Sequence, residues 1–308
     1  MFFSVIIPLY NKEQFIDCTI KSILAQTFAD FEIIVVNDGS TDAGAEIVAA
    51  IADSRIRLFN KENSGVSNAR NYGIANASGR YIALLDADDR WDAKYLERMH
   101  EVILSHPEGR IFACCNAEVS KSGKLKINPV KNLLSDSISV LDYDSAFLNT
   151  LESPIHTSAV IFDKDLFDSY RFDEDIRIGQ DLYLWLTMSR NHKVIMSNEV
   201  LSYYDRSDIN AATARLAPLH VTLIPRLAEM LLSENDDVRR KLLTRLILNR
   251  IKRYYLFKNN ALTREIISRC NFSDALWQQR LFFAVPKWMM RLAYRFVKKL
   301  PDADSSDK

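Results

Sequence analysis

Four short apolar runs, each followed by a stretch with helical spacing, recur about every 25 residues in the first third of the chain. The runs are residues 2–8, 31–36, 56–59 and 81–85, and turn residues bound them. Runs of that length and composition read as buried strands. Between them, residues 12–26 place Phe15, Ile16, Thr19, Ile20, Ile23 and Leu24 on one helical stripe. Residues 43–51 and 67–77 are predicted as further helices, with Ser40 or Thr41 available to cap the former, and another starts near Asp92. Strand and helix in alternation specify an α/β fold, a mostly parallel sheet with helices on its faces joined by right-handed crossovers.

Polar clusters follow three of these strands: Tyr10 with Asn11, Asn37 with Asp38, and Asp86, Asp88 and Asp89. In a parallel sheet they share the rim at the carboxyl ends of the strands, where such sheets bind ligands. Three carboxylates ending a buried strand repel one another and lose hydration. They call for a cation, and Mg²⁺ or Mn²⁺ takes oxygen ligands. An EF-hand is excluded, because counting from Asp86 the fifth and sixth positions are Arg90 and Trp91. Neither G-x-G-x-x-G nor G-x-x-x-x-G-K-[ST] follows the first strand, so a dinucleotide fingerprint and a P-loop are unsupported. A nucleotidyltransferase, the rival enzyme class, should carry a Gly-rich basic loop where this chain has Pro8, Leu9, Tyr10 and Asn11.

Past residue 110 the pattern loosens. Residues 111–115, 155–162 and 194–204 read as strands, 121–139 as polar, irregular and mobile, and 181–189 as a helix. From about residue 215 the pattern is helical. The formal net charge of zero hides a division: residues 239–299 hold sixteen Lys and Arg against Glu265 and Asp274, which leaves twenty-four basic and thirty-eight acidic residues elsewhere. Residues 282–299 form a basic amphipathic pattern, with Trp288, Leu292 and Phe296 at i, i+4, i+8 among Lys287, Arg291, Arg295, Lys298 and Lys299. That is the pattern of a helix lying on anionic lipid; nucleic acid is not expected, for want of a recognition motif. The four cysteines have no metal-ligand spacing and suit a reducing compartment. No signal peptide and no spanning helix are read, so the expected location is the cytoplasm, in peripheral contact with the inner face of the membrane.

SVIIPLYN, IIVVNDGSTD, GVSNARNYG, LLDADD and GQDLYLWL occur in that order. With them the chain resembles the family 2 inverting glycosyltransferases of the GT-A fold, over about residues 2–205. The resemblance implies a UDP-sugar donor, a divalent metal and inversion at the anomeric carbon. It implies a catalytic domain over 1–210, with a nucleotide-binding half (1–115) and an acceptor-side half (116–210), before a basic helical region at 211–308.

Carried over by position, Pro8, Tyr10 and Asn11 look like the nucleoside wall, and Asp38 like the carboxylate that takes the uracil N–H. Arg70 resembles the arginine that contacts the nucleotide. Asp86 falls near the ribose and Asp88 on the metal, with Asp89 behind them. Asp181 matches the base that takes the acceptor proton, beside Gln180 where many members have Glu. One departure stands out: relatives often carry Y-R-x-H where this chain has Tyr204, Asp205, Arg206 and Ser207. Either Arg206 or His220 is then expected to serve the phosphates, while His156 is read as structural. The expected function is transfer of a hexose or N-acetylhexosamine from a UDP-sugar to a hydroxyl of a glycan or glycolipid, in lipopolysaccharide, O-antigen or capsule synthesis. A binding scaffold without turnover is the remaining alternative, and retention of Asp88 and Asp181 argues against it.

Overall fold

The computed structural model describes residues 1–120, 122–205, 217–258, 260–290 and 292. The chain divides into two compact units, Met1–Arg215 and Leu216–Lys308. The boundary expected between residues 210 and 211 lies outside the described residues.

The first unit is built on one mixed sheet. Strands β1 (Phe3–Leu9), β2 (Phe31–Asp38), β3 (Ile56–Lys61) and β4 (Tyr81–Leu84) form its parallel half. Helices α1 (Ile16–Leu24), α2 (Gly44–Ala49) and α3 (Val66–Ala75) make the crossovers. A two-residue strand β5 (Arg90–Trp91), not foreseen from the sequence, precedes helix α4 (Tyr95–Ser105). Then come β6 (Ile111–Val119), β7 (Leu125–Ile127), β8 (Ile138–Leu141), helix α5 (Tyr143–Thr150), β9 (Val160–Asp163), helix α6 (Gln180–Ser189) and β10 (Val194–Asp205). The sheet order is β3-β2-β1-β4-β9-β6-β10-β5, with β7 on β6 and β8 on β10. Because β9 is antiparallel to both β4 and β6, β6 runs parallel to β1–β4. Their carboxyl ends share one rim.

Every residue of β2, and all of β1 except Pro8, is buried, as a parallel sheet covered on both faces requires. Gly79 lets the chain enter β4: a Cβ there would stand 2.6 Å from the Phe3 carbonyl carbon and the Ser4 nitrogen. Where the fold departs from expectation, hydrogen bonding decides. The first helix starts at Ile16, not residue 12, because Asn11 takes a left-handed φ of 52° and Lys12 opens a turn that accepts from Phe15 N. Ser40 and Thr41 do not cap α2; both bond to Asn11, while Glu13 accepts from Ala43 N. The segment at 121–139, expected to be irregular, carries β7, a 3-10 turn at Pro129–Leu133 and the start of β8. The strand expected at 155–162 begins instead as a 3-10 turn, Thr157–Ala159.

The second unit is helical: α7 (Ile224–Leu232), α8 (Asp237–Phe257), α9 (Ala261–Arg269) and α10 (Trp277–Ala284). Asp236 and Asn260 cap α8 and α9 through Arg239 N and Thr263 N. In the first turn of α8, Arg239 pairs with Glu234 at 3.2 Å, both buried.

Candidate active site

The site grows from the end of β4. Past Leu84 the chain turns through Asp86, Asp88 and Asp89, and each carboxylate meets a different environment. Arg70, on α3 and 3% exposed, donates from Nη2 to Asp86 Oδ1 at 2.5 Å, with its guanidinium 5.1 Å from the Phe172 ring. Burial pushes the Asp86 carboxyl up, but Arg70, helped by His156 and Lys12, outweighs it and holds Asp86 below the usual range. Arg70 Nε and Nη1 are buried without a hydrogen-bond acceptor among the described residues.

Asp88 Oδ2 accepts from Lys12 Nζ. Burial and the nearby Asp86 still leave its carboxyl above the usual range, against the pull of Lys12. Asp89 is 1% exposed and shifted well up, first by burial and then by Asp86 and Asp88. Ser158 Oγ donates to Asp89 Oδ2 and accepts from Asp86 N at 3.1 Å, and Asp205 N donates to Asp89 Oδ1 at 3.2 Å. Thr19 closes the turn from α1, donating to the carbonyls of Ala87 and Asp89. Asp89 is therefore the buried anchor of the turn.

Asp181 stands in the first turn of α6, after Gly179 at a φ of 84°. Its Oδ2 accepts from Thr157 Oγ1 at 3.1 Å and its Oδ1 from Leu182 N at 2.8 Å. Gln180 is 9% exposed, and its Oε1 has no hydrogen-bond partner among the described residues. Thr157 and Ser158 are thus neighbours in sequence that hold Asp181 on one side and the aspartate turn on the other.

Along the rim, Asp38 is 3% exposed and accepts from Lys61 Nζ at 2.6 Å, Ser64 N at 3.0 Å and Gly65 N at 2.8 Å. Three of about four acceptor positions are occupied, so the carboxylate expected to read a base also fixes the loop entering α3. Asn11 fixes the opposite loop, accepting from Thr41 N at 2.8 Å. Pro8 is half-buried at the end of β1 and Tyr10 is 49% exposed.

A match to Glycosyl transferase family 2 covers residues 4–170. The chain belongs to that family. Among relatives, an uncharacterized glycosyltransferase of Rickettsia conorii is 36% identical over 193 residues, 62% of this chain and 30% of its own length. Glycosyltransferase GlyA of Streptococcus pneumoniae is 32% identical over 220 residues, 66% of this chain and 29% of its own length. The chain thus spans less than a third of those two curated relatives. The putative teichuronic acid biosynthesis glycosyltransferase TuaG of Bacillus subtilis is 31% identical over 205 residues, 65% of this chain and 77% of its own length. The crystal structure of Staphylococcus aureus TarS 1-349 in complex with UDP-GlcNAc superposes with a TM-score of 0.68 at 19% identity, covering 87% of this chain and 78% of that one. The fold of this family 2 glycosyltransferase is GT-A.

Among the described residues, no group of three or more His, Cys, Asp or Glu could hold a metal ion by itself. The donor set nevertheless suits a hard cation. Asp88 offers a carboxylate, and the Lys12 ammonium already stands on it as a stand-in positive charge. An ion that keeps one protein ligand and takes the rest from phosphate and water needs no more.

Sequence reasoning overlooked Lys12, Thr157 and Ser158, since none carries a motif signal of its own. Of the stretch from Tyr204 to Ser207, Tyr204 and Asp205 end β10, Arg206 and Ser207 lie outside the described residues, and His220 belongs to the second unit. His156 was read as structural, yet it lies close enough to Asp86 and Asp181 for both to act on its charge.

Proposed function

We propose that this family 2 glycosyltransferase is a divalent-metal-dependent, inverting enzyme. On this reading it moves a hexose or N-acetylhexosamine from a UDP-sugar to a hydroxyl of a cell-surface glycan or glycolipid. The observation that carries the reading is the Thr157–Ser158 pair. It couples Asp181, a carboxylate on a helix N-terminus, to the turn that bears Asp86 and Asp88. The UDP donor draws support from TarS, solved with UDP and with UDP-GlcNAc. The cell-surface acceptor draws support from TuaG.

Asp181 accepts the proton of the acceptor hydroxyl as its oxygen attacks the anomeric carbon, and the bond from that carbon to the diphosphate breaks on the opposite face. Thr157 holds the Asp181 carboxylate in one rotamer for the attack. Arg70 keeps Asp86 ionised and has two further nitrogens to offer a phosphate or ribose oxygen. Asp38 and Asn11 shape the nucleoside end, with Pro8 and Tyr10 as its wall. A Mg²⁺ or Mn²⁺ ion held by Asp88 would neutralise charge on the departing diphosphate.

The finer reading of location is cytoplasmic, with the second unit resting on an anionic membrane surface. Trp91 and Trp185 are buried, whereas Trp277 and Trp288 are 70% and 64% exposed in the basic unit, and exposed indoles beside Lys and Arg suit an interface. Of the basic pattern at 282–299, residues 291 and 293–299 lie outside the described residues. No described helix is long and apolar enough to cross a membrane. Flotation with phosphatidylglycerol vesicles, reduced by W277S/W288S and absent with phosphatidylcholine, is the expected result.

The test of the reaction is UDP release from a panel of UDP- and GDP-sugars, with Mn²⁺, Mg²⁺ or chelator. Turnover of a UDP-sugar that needs metal, fails in Asp88→Ala and falls by about 10²–10⁴ in Asp181→Asn is expected. Turnover indifferent to both substitutions, or UDP binding without any turnover when acceptors are supplied, would overturn it.

A further inference from the structure

A cavity of about 160 Å³ opens at the carboxyl end of β6, under the β6–β7 hairpin, lined by Asn116, Glu118, Lys126, Glu152, Ser153 and His156 among others. It is too small for a nucleotide, since sites for larger ligands run to roughly 300–1,000 Å³. The volume is that of about five waters, the scale of a single sugar ring.

The chemistry of the lining is that of a polyol site. Lys126 stands 2.9 Å from Glu152 and 4.0 Å from Glu118, so the one ammonium is offset by two carboxylates and the walls do not favour an anion. Asn116, 4% exposed, accepts at Oδ1 from Asn128 Nδ2 at 3.2 Å; no described residue takes its own Nδ2 hydrogens. Carboxylate, amide, hydroxyl and imidazole groups together present both donors and acceptors at short range.

His156 lines this cavity and lies close enough to Asp86 and Asp181 for both to act on its charge. Its Nδ1 accepts from Ser158 N at 3.3 Å, and its ring rests on Tyr204 with centroids 4.8 Å apart. That bond assigns the ring hydrogen to Nε2. Burial pushes the imidazole below its usual range despite Asp86, Asp181 and Glu118. His156 is therefore a fixed, neutral N–H donor. Strand β6 lies two places from β4 in the sheet, roughly 10 Å along the rim at about 4.8 Å per strand, on the side away from Asp38. A diphosphate at the aspartate turn would thus have its sugar end toward this cavity.

We propose that the cavity is a monosaccharide subsite in which one pyranose seats under the hairpin, His156 Nε2 donating to a ring substituent and Glu118 accepting from a hydroxyl. The inference rests on the glycosyl-transfer reading and adds to it which residues hold a sugar. The pyranose is either the transferred unit or the terminal unit of the acceptor, and the two give different kinetics.

The experiment uses the full chain with Glu118→Gln and His156→Phe, the first keeping shape and the second keeping the aromatic contact with Tyr204. UDP affinity by calorimetry, KM and kcat for UDP-sugar hydrolysis without acceptor, and KM for a panel of octyl glycosides are measured in each. The expected result is unchanged UDP affinity with one KM raised about tenfold, the loss of one neutral hydrogen bond. A rise in the hydrolysis KM assigns the cavity to the transferred sugar; a rise confined to the octyl glycoside assigns it to the acceptor. Intact turnover with both KM values within twofold in both variants overturns the subsite and leaves the transfer reading standing. A wild-type chain that binds UDP but turns over no UDP-sugar with any acceptor overturns both. If His156→Phe fails to fold, Glu118→Gln alone decides.

Discussion

Thr157 Oγ1 donates to Asp181 Oδ2 at 3.1 Å, so the side chain proposed as the base is held from outside its own helix. Removing that hydroxyl without changing shape tests whether the hold matters. In Thr157→Val, the Asp181 carboxylate keeps, among the described residues, only the bond from Leu182 N. A hydrogen bond to a charged group contributes about 1.5–3 kcal/mol, so kcat for UDP-sugar turnover is expected to fall about tenfold or more, with the donor KM little changed. An unchanged kcat would mean that α6 alone fixes Asp181.

Lys12 bears on the cation. Its ammonium contacts Asp88 Oδ2, the oxygen proposed to ligate the metal, so an incoming ion competes with it. Lys12→Met is expected to lower the Mn²⁺ concentration at half-saturation several-fold, read by the electron-spin resonance of bound ion with UDP present. A weaker Mn²⁺ response would instead show that the ammonium assists the bound diphosphate.

How far these relationships could be read from sequence depends on their range. The alternation of apolar runs and helical stripes places β1 to β4 and their helices, because each element reports its own periodicity. The aspartate cluster is legible because three acids end a buried strand. Thr157 and Ser158 were not legible. Their roles arise because β9 enters antiparallel between β4 and β6, pairing Tyr81 with Asp163 and Ile111 with Phe162, long-range pairings with no local signature. The residues at 121–139 look irregular because β7 has all three residues exposed, which removes the hydrophobic alternation by which a strand announces itself. Lys12 was hidden in a predicted first helical turn that the left-handed Asn11 displaces.

Ser158 joins the aspartate turn to β9. Its Oγ serves Asp86 N and Asp89 Oδ2, and its carbonyl accepts from Trp91 Nε1 at 2.6 Å and Ser202 Oγ at 2.7 Å. Ser158→Ala leaves two buried polar groups without that partner, and a cost of about 1–3 kcal/mol follows. Urea unfolding followed by indole fluorescence should show the loss, with reduced metal-dependent turnover at low urea. Full stability in Ser158→Ala would mean the turn holds itself through Thr19.

Glu32 gives the pH dependence of the fold. It is 4% exposed on β2 and accepts from Ser4 Oγ at 2.7 Å, Ser78 N at 2.6 Å and Arg57 Nη1 at 2.8 Å. Burial alone would push its carboxyl up; the three donors outweigh burial and leave it below the ordinary value of 4.5. A carboxylate whose pKa is depressed by folding binds its proton less tightly in the folded chain than in the unfolded one. Its contribution is therefore present above the unfolded value near 4.5 and is lost as pH falls through the lower, folded value. Glu32→Gln removes the charge and sets an amide donor against Arg57, Ser4 or Ser78, which all donate. A destabilisation of about 1.5–3 kcal/mol at neutral pH is expected, in the range for bonds to a charged group. The two urea midpoints should then draw together as pH falls below the unfolded value near 4.5 and through the lower, folded one, because protonation strips the wild type of the same charge. A gap that stays constant with pH would assign the loss to packing around β2 and not to the carboxylate.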